Sequence, residues 1–218
     1  MGCQCNKPEE SNNELCEERN SIKVLEKEND LAQNNNNLSS RSHNDKPQDN
    51  FSLYLFEQIN AVRQNPKSFI DIIEKAKSHI TLDKSGIKVY KTSIKVALNK
   101  GEAAFDEAIK ILKKTEPMKK LKYNPDFLIE IPNNEIDINS KEYLIDQVKL
   151  KLDAGVDIKS FWKDIVKDAE SCFILTLVDD SGKYPGNKRN DILNKDNKYI
   201  GISTARVGRS FACYIALG

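Results

Sequence analysis

The sequence predicts one domain of mixed helix and sheet, either α+β or a three-layer α/β/α sandwich, that ends in a β-hairpin. Apolar residues recur at helical spacing through several segments after residue 50, and two β-rich runs follow each other at the C-terminus. The first 50 residues, in contrast, contain no aromatic residue and few large apolar ones. A chain of 218 residues has room for one ordinary domain with an appendage. We therefore expect a domain at residues 51–218 behind a tether at residues 1–50.

The tether is polar and carries much of the acidic charge. Residues 1–50 hold 6 Lys/Arg against 10 Asp/Glu, and the remainder holds 28 against 23. The tract "NNNNLSSRSHNDKPQDN" is of low complexity and cannot bury enough apolar surface to offset the entropy of ordering, so it predicts disorder. The whole chain has a net charge of only +1, which indicates no nucleic-acid partner.

Three helices are predicted in the first half of the domain. Residues 51–62 place apolar side chains on one helix face, and Pro66 ends that helix and opens the next. Phe69, Ile72, Ile73 and Ala76 form the apolar face of the second helix. "GEAAFDEAIKILKKTEP" predicts the third, and between the second and third we expect a linker, "TLDKSGIKVYKTSIKVALNK".

The second half is less regular until its end. Residues 121–159 are ambiguous, with a helical pattern at "SKEYLIDQVKLKL", and "DAESCFILTLVDD" fits a helix or a buried strand equally well. "KYIGIST" and "RSFACYIALG" predict two strands, with Gly208 in the turn between them. Cys172 and Cys213 lie in apolar runs, where we expect buried free thiols.

Several of these motifs resemble the CAP superfamily, which includes cysteine-rich secretory and pathogenesis-related proteins. "INAVRQNPKSFID" is similar to the family's first-helix motif, and "GEAAFDEAIKILKKTEPMKKLKYNPDF" to its next segment. The clearest similarity is in "DDSGKYPGNKRNDILNKDNKYIGIST", followed by a last strand "FACYIALG". The resemblance covers residues 51–218 and implies a CAP-type three-layer sandwich.

The residues that would form the family's cleft are changed in this chain. The family builds that cleft on two histidines, which in several members bind a divalent metal, and their positions fall near Asn134 and at Lys188, directly before Arg189. The only histidines are His43, in the tether, and His79, after the second helix. A catalytic metal site needs about three protein ligands. We therefore expect a degenerate cleft with no metal, no cofactor and no catalytic residue.

Other polar clusters favour ordinary structural roles. Asp179 and Asp180 are interpreted as the end of a helix or a solvated turn rather than a catalytic carboxylate pair. Lys183, Lys188 and Arg189 form either a charged loop or a small basic patch for anionic lipid. Trp162 is interpreted as a core residue.

The first six residues, "MGCQCN", allow two interpretations. As metal ligands, Cys3 and Cys5 lack partners at a zinc-site spacing. As acylation sites they fit better, because Gly2 becomes the N-terminus once Met1 is removed and cysteines beside a myristoylated glycine are palmitoylation targets. The motif prefers Ser or Thr at position six, where this chain has Asn6. The resemblance adds a precedent, since the family's Golgi-associated branch is myristoylated.

Together these features predict a non-catalytic domain held by acyl chains at a cytoplasmic membrane face, where it contacts protein or lipid. The first alternative is a structural component of a large assembly, without acylation and with a cilium as one location. The second is a hydrolase with a rebuilt cleft.

Overall fold

A computed structural model describes residues 46–91, 95–131, 141–180 and 184–218, and all structural statements concern these ranges. The predicted boundary between tether and domain at residue 50 lies close to the first helix, which begins at Asn50. Asp49 caps this helix, because its Oδ1 accepts a hydrogen bond from the Ser52 backbone N–H at 2.8 Å.

The three predicted helices of the first half are confirmed. Helix α1 spans Asn50–Gln64, a short 3-10 turn follows at Pro66–Phe69, and α2 continues over Ile70–Lys77. Helix α3 spans Glu102–Lys114. Each helix turns most of its predicted apolar residues inward, and Leu55, Val62, Ile73 and Leu112 are completely buried. The prediction is wrong for Ile72 of α2 and for Tyr54 of α1, which are exposed.

The predicted linker between α2 and α3 instead contains three short strands, so that expectation is wrong. Strands β1 (Ile80–Leu82), β2 (Lys88–Lys91) and β3 (Lys95–Ala97) form an antiparallel sheet in that order. Strands of three or four residues are too short to show a period in the sequence. The turn between β1 and β2 depends on Asp83, whose carboxylate accepts from the Ser85 and Ile87 backbone N–H groups.

The second half of the domain consists of a larger sheet and three helices. The strands are β4 (Lys122–Tyr123), β5 (Ser160–Val166), β6 (Tyr199–Val207) and β7 (Ser210–Leu217). The helices are α4 (Lys141–Asp153), α5 (Ala169–Val178) and α6 (Asn187–Ile192). The predicted C-terminal hairpin and the helical pattern before residue 153 are confirmed, and "DAESCFILTLVDD" proves to be a helix.

The larger sheet has the order β4-β6-β7-β5, so β5 and β4 are its edges. β4 runs parallel to β6, and the other two pairings are antiparallel. Opposite residues in the register share a sheet face, which places Trp162 with Ile215 and Ile202 on one face and Lys163 with Tyr214 and Ser203 on the other.

Each face of this sheet is covered by its own apolar cluster. The first cluster joins Ile200, Ile202 and Ile215 to the inward faces of α1, α2, α3 and α5. The second joins Ala212, Tyr214 and Ala216 to the segment around Phe127 and to Val148 of α4. Helical layers on both sides of a sheet agree with the predicted α+β class, whereas the CAP-type sandwich stays a prediction.

Gly201 shows why one residue of the "YIGI" motif is small. A Cβ atom at this position would lie 2.7 Å from the backbone carbonyl carbon of Phe127. Only glycine lets the segment around Phe127 lie directly against β6.

Candidate functional site

The main cluster of buried ionisable side chains lies where edge strand β5 meets α6. We call it the β5–α6 seam and define it by six residues. Trp162 and Asp164 lie on β5, Asp179 follows α5, and Lys188, Arg189 and Asp191 lie on α6. The strand presents alternate residues to this side, so Trp162 and Asp164 both face inward. The seam contains Lys188 and Arg189, two of the three predicted cleft residues.

Lys188 and Asp164 form the central ion pair of the seam. Lys188 Nζ donates to Asp164 Oδ1 at 2.5 Å, and both side chains are about four-fifths buried. Burial disfavours the charged ammonium, but the carboxylates of Asp164 and Asp179 outweigh it and raise the pKa of Lys188 above its ordinary 10.5. Lys188 is therefore a cation at neutral pH with no lone pair to offer.

Asp179 joins the end of α5 to the start of α6. It lies just after α5 in the left-handed conformation, with φ 45°, and its Oδ2 accepts from the Lys188 backbone N–H at 2.8 Å. Burial raises the pKa of Asp179, although that hydrogen bond and the Lys188 charge oppose the effect. A carboxylate at a helix N-terminus also interacts favourably with the helix dipole.

Asp180 likewise binds backbone N–H groups at the start of a helix, in this case α3. Its carboxylate accepts from the backbone N–H groups of Lys100 and Gly101 at 2.9 and 3.0 Å, just before α3. Asp179 and Asp180 are only 2% and 4% exposed. Of the two alternatives from the sequence, the helix end is confirmed, because Asp179 directly follows α5 and both carboxylates are buried against the backbone N–H groups that they bind.

Arg189 closes the C-terminus of α5. Its Nη1 donates to the carbonyls of Leu177 and Val178 at 3.1 and 2.8 Å, and its Nη2 lies 3.1 Å from Glu107 Oε1. Burial lowers the pKa of Arg189, and the Glu107 carboxylate opposes that shift. The side chain is 1% exposed. Of the two alternatives, neither a charged loop nor a basic patch describes Lys188 and Arg189, since both lie on α6 with their charges facing carboxylates and carbonyls inside the domain. Lys183 lies outside the described residues.

Three polar atoms of the seam have no hydrogen-bond partner within the described part of the chain. They are Arg189 Nε on α6 and, on adjacent inward positions of β5, Trp162 Nε1 and Asp164 Oδ2. Trp162 is only 9% exposed, which confirms its expected core position. Burial also raises the pKa of Asp191, one turn beyond Lys188 on α6. A polar site of this kind suits an ordered water molecule.

The two cysteines of the domain lie beside the seam. Cys172 and Cys213 are free and completely buried, as predicted. The hydrogen bond with Cys172, followed by burial, raises the pKa of the Cys213 thiol well above 9.0. The Cys213 thiol is thus kept protonated at neutral pH.

Sequence reasoning missed Arg63, which holds the other end of α6. This side chain is 1% exposed and donates to four carbonyls: Lys119 at 2.9 Å, Ile192 at 2.6 Å, Asn194 at 2.9 Å and Asn197 at 3.2 Å. Burial lowers its pKa. Arg63 belongs to the "INAVRQNP" motif, and an arginine on an otherwise apolar helix face was the available signal.

Asn60 of the same motif has a related role. Its amide bonds the Leu121 backbone in both directions, accepting from the N–H at 2.7 Å and donating to the carbonyl at 3.2 Å. Asn60 and Arg63 lie three residues apart and so share a helix face. The first-helix motif therefore fixes the segment before β4 and the turn after α6.

The remaining predicted residues are not brought into the seam by the described structure. Gly2, Cys3, Cys5 and Asn134 lie outside the described residues. Within the described ranges, no group of three His, Cys, Asp or Glu side chains is arranged to hold a metal ion. Two surface depressions, of about 350 and 370 Å³, are lined by residues of α1, α2, α3 and the segment after α3 rather than by the seam.

Comparisons with family models, curated proteins and solved structures find no match to this chain. The CAP resemblance therefore stays a prediction from the motifs. The described helices include none that is long and apolar enough to cross a membrane.

Proposed function

We propose that this protein is a non-catalytic interaction domain held at a cytoplasmic membrane face by acyl chains on its N-terminal segment. The proposal has two parts, the loss of cleft chemistry and the anchor. Lys188 carries the first part, and the sequence "MGCQCN" carries the second.

The single observation behind the first part is the Lys188–Asp164 ion pair. The resemblance places a cleft histidine at this position, and a neutral imidazole can bind a metal or accept a proton near pH 7. An ammonium group whose pKa lies above 10.5 can do neither at that pH. The neighbouring aspartates support the same conclusion, because Asp179 and Asp180 both bind backbone N–H groups.

The second part, the anchor, rests on the number of binding signals that stable membrane attachment needs. A single myristoyl chain binds a bilayer only marginally, so stable attachment needs a second signal. Cys3 and Cys5 supply that signal if either is palmitoylated, whereas the leader, with 6 basic and 10 acidic residues, is not polybasic.

Metabolic labelling of the full chain tests the anchor. Cells that express the wild-type chain are fed tagged myristate or palmitate, in parallel with Gly2→Ala and with Cys3→Ser/Cys5→Ser. We expect both labels on the wild type, neither on Gly2→Ala, and only myristate on the cysteine variant, since palmitoylation follows membrane contact. Cys16→Ser is the matched control and should keep both labels. An unlabelled wild type would contradict the anchor and favour the assembly alternative.

A zinc titration tests the loss of cleft chemistry. The Cys3→Ser/Cys5→Ser chain is used so that the N-terminal thiols cannot bind the metal. Calorimetry should detect no tight site, because the described residues contain no three-ligand group. Tight binding that persists in this variant would contradict the proposal and would support the hydrolase alternative.

A further inference from the structure

The net positive charge of the domain is concentrated in one stretch of sequence. Residues 51–218 hold 28 Lys/Arg against 23 Asp/Glu, and residues 110–122 alone hold six of those lysines and one of those acids. The rest of the domain therefore balances, with 22 basic against 22 acidic residues. Charge that is this unevenly distributed creates a local potential on an otherwise neutral surface.

Folding extends this basic stretch with two further lysines. The Lys122 backbone N–H donates to the Lys198 carbonyl at 2.8 Å, and Arg63 bonds both the Lys119 and the Asn194 carbonyls at 2.9 Å. These contacts bring the segment before β4 beside the turn between α6 and β6. We call the resulting surface the basic face and define it by eight exposed lysines: Lys110, Lys113, Lys114, Lys119, Lys120, Lys122, Lys195 and Lys198.

The lysines of the basic face differ from those at the start of α3. Near that start, Lys77 pairs with Asp106, Lys88 with Glu102, and Lys100 with Glu107. The described residues provide no ion pair within 4 Å for any lysine of the basic face. Within the same stretches its charge is offset only by exposed Glu116 and Asp196, and Glu74 and Asp106 line a depression together with Lys110, Lys113 and Lys114.

Local structure accounts for only some of these lysines. Lys113 and Lys114 suit the last turn of α3, where cations interact favourably with the helix dipole. Lys122 lies on edge strand β4, where a charge discourages pairing with another chain. Neither effect explains why Lys119, Lys120 and Lys195 add to the same surface without acidic partners.

We propose that the basic face docks the domain against an anionic bilayer surface. The proposal rests on the proposed function for the location of the domain, since the cytoplasmic leaflet is the anionic one. It also adds a binding signal that the acidic leader lacks, because one acyl chain together with a polybasic patch gives stable attachment.

The chemistry of the face favours a lipid surface over a nucleic acid. All eight cations are lysines, which act as point charges, whereas arginine is the usual choice for bidentate recognition of phosphates and bases. Tyr199 is opposite Lys122 in the β4–β6 register and is 40% exposed, which places an aromatic ring with a polar tip at the edge of the face. Tyrosines in this setting are common at membrane interfaces.

Vesicle binding by the full-length Gly2→Ala chain tests the docking without any contribution from myristate. The chain is sedimented with vesicles of phosphatidylcholine alone, or with about 30% phosphatidylserine to mimic the charge of the cytoplasmic leaflet. We expect binding only to the anionic vesicles, and its loss as the salt is raised to about 0.5 M. Because this chain is unacylated, a failure to bind anionic vesicles would overturn the docking but would not affect the proposed acyl anchor. A failure of the fatty-acid labelling would overturn the anchor but would not affect the proposed docking.

Two variants with the same charge change locate the binding surface. One carries Lys113→Gln, Lys119→Gln, Lys120→Gln and Lys122→Gln; the other carries Lys67→Gln, Lys84→Gln, Lys91→Gln and Lys149→Gln, exposed lysines outside the face. Each lysine near an anionic surface contributes up to about a fivefold factor, so the first variant should bind at least about tenfold more weakly. The second should stay within about threefold of its parent.

Three results would overturn the docking. The anionic vesicles fail to bind the parent chain at low salt, both variants weaken equally, or the chain prefers duplex DNA to anionic vesicles at matched salt. Circular dichroism and thermal melting of both variants confirm that any loss is not unfolding, since every substituted side chain is exposed.

Discussion

The short helix α6 is held at its two ends by buried cations whose partners differ in kind. At its C-terminus, Arg63 binds only backbone carbonyls, including those of Ile192 and Asn194. At its N-terminus, Lys188 pairs with Asp164, and Arg189 pairs with Glu107 in addition to two backbone carbonyls of α5. Carbonyls do not titrate, whereas carboxylates do, so the first end should be insensitive to pH and the second sensitive to it. The attachment of the C-terminus of α6 therefore does not depend on the ionisation of its partners, whereas that of its N-terminus does.

Replacing Arg63 should have the largest effect on stability. Arg63→Ala removes four hydrogen bonds at once and leaves buried carbonyls without partners, at a cost of about 3–5 kcal/mol in the free energy of unfolding. Urea titration measures this loss, which should be the same at acid and neutral pH. Arg209→Ala, at an exposed position, is the matched control and should cost less than about 0.5 kcal/mol. A cost below about 1 kcal/mol for Arg63→Ala would refute the role of this end.

At the N-terminal end of α6, replacing one member of the Lys188–Asp164 ion pair should lower the free energy of unfolding more than replacing both. Lys188→Met leaves the mostly buried Asp164 carboxylate without its cation and should cost about 2–4 kcal/mol. The double variant Lys188→Met/Asp164→Leu removes both charges and should recover much of that loss. A double-mutant cycle by urea unfolding checks this; simple addition of the two single effects would show that the pair is not coupled.

For Asp179 the prediction concerns the direction in which stability changes with pH and not the size of that change. Burial raises its pKa, so its ionisation is less favourable in the folded than in the unfolded chain. Its contribution to stability is therefore greatest below its ordinary pKa of 3.8 and falls as pH rises through the raised pKa. Asparagine keeps an acceptor for the Lys188 N–H but never ionises. Asp179→Asn should consequently gain stability relative to wild type as pH rises above 3.8, until the folded chain has ionised as well.

Unfolding titrations of the two chains at several pH values give this difference directly. Asp126→Asn, at an exposed turn, is the control and should show no such gain. A relative stability of Asp179→Asn that falls with rising pH would mean that the ionised carboxylate is stabilised in the fold.

Glu107 should show the smallest effect of the four. It contacts buried Arg189 at 3.1 Å, but its own side chain is 42% exposed, so solvent screens the pair. Its pKa is lowered, with the Lys100 hydrogen bond as the largest cause. Glu107→Gln should lower stability by less than about 1 kcal/mol and only above the ordinary carboxyl pKa, because the protonated wild type has no such charge to lose. Glu116→Gln serves as the exposed control, and a loss above about 2 kcal/mol for Glu107→Gln would make this contact a main determinant of the fold.

The sequence predicts the elements whose apolar residues follow one clear period. Helices α1 to α3 and the hairpin β6–β7 do so, and they match their expected positions. Strand β5 does not, because Asp164 on its inner face and Lys163 on its outer face interrupt the alternation. Its pairing with β7 is a contact distant in sequence, which local pattern cannot reveal.

The seam shows the same limit for the site. Motif similarity singled out Lys188 and Arg189, but their burial depends on Asp164, Asp179 and Glu107, which come from three other parts of the chain. Exposed lysines and buried lysines look alike in a sequence. The sequence left Lys183, Lys188 and Arg189 as either a charged loop or a basic patch, whereas Lys188 is mostly buried and the lysines of the basic face lie at residues 110–122, 195 and 198.

The central claim, a non-catalytic domain anchored by its N-terminal segment, is tested most directly by the mass of the N-terminal peptide from the native protein. The account predicts a peptide that begins at Gly2, carries an amide-linked myristoyl group and bears a thioester-linked fatty acid on Cys3 or Cys5. A peptide with a free or acetylated N-terminus and unmodified cysteines would contradict the account.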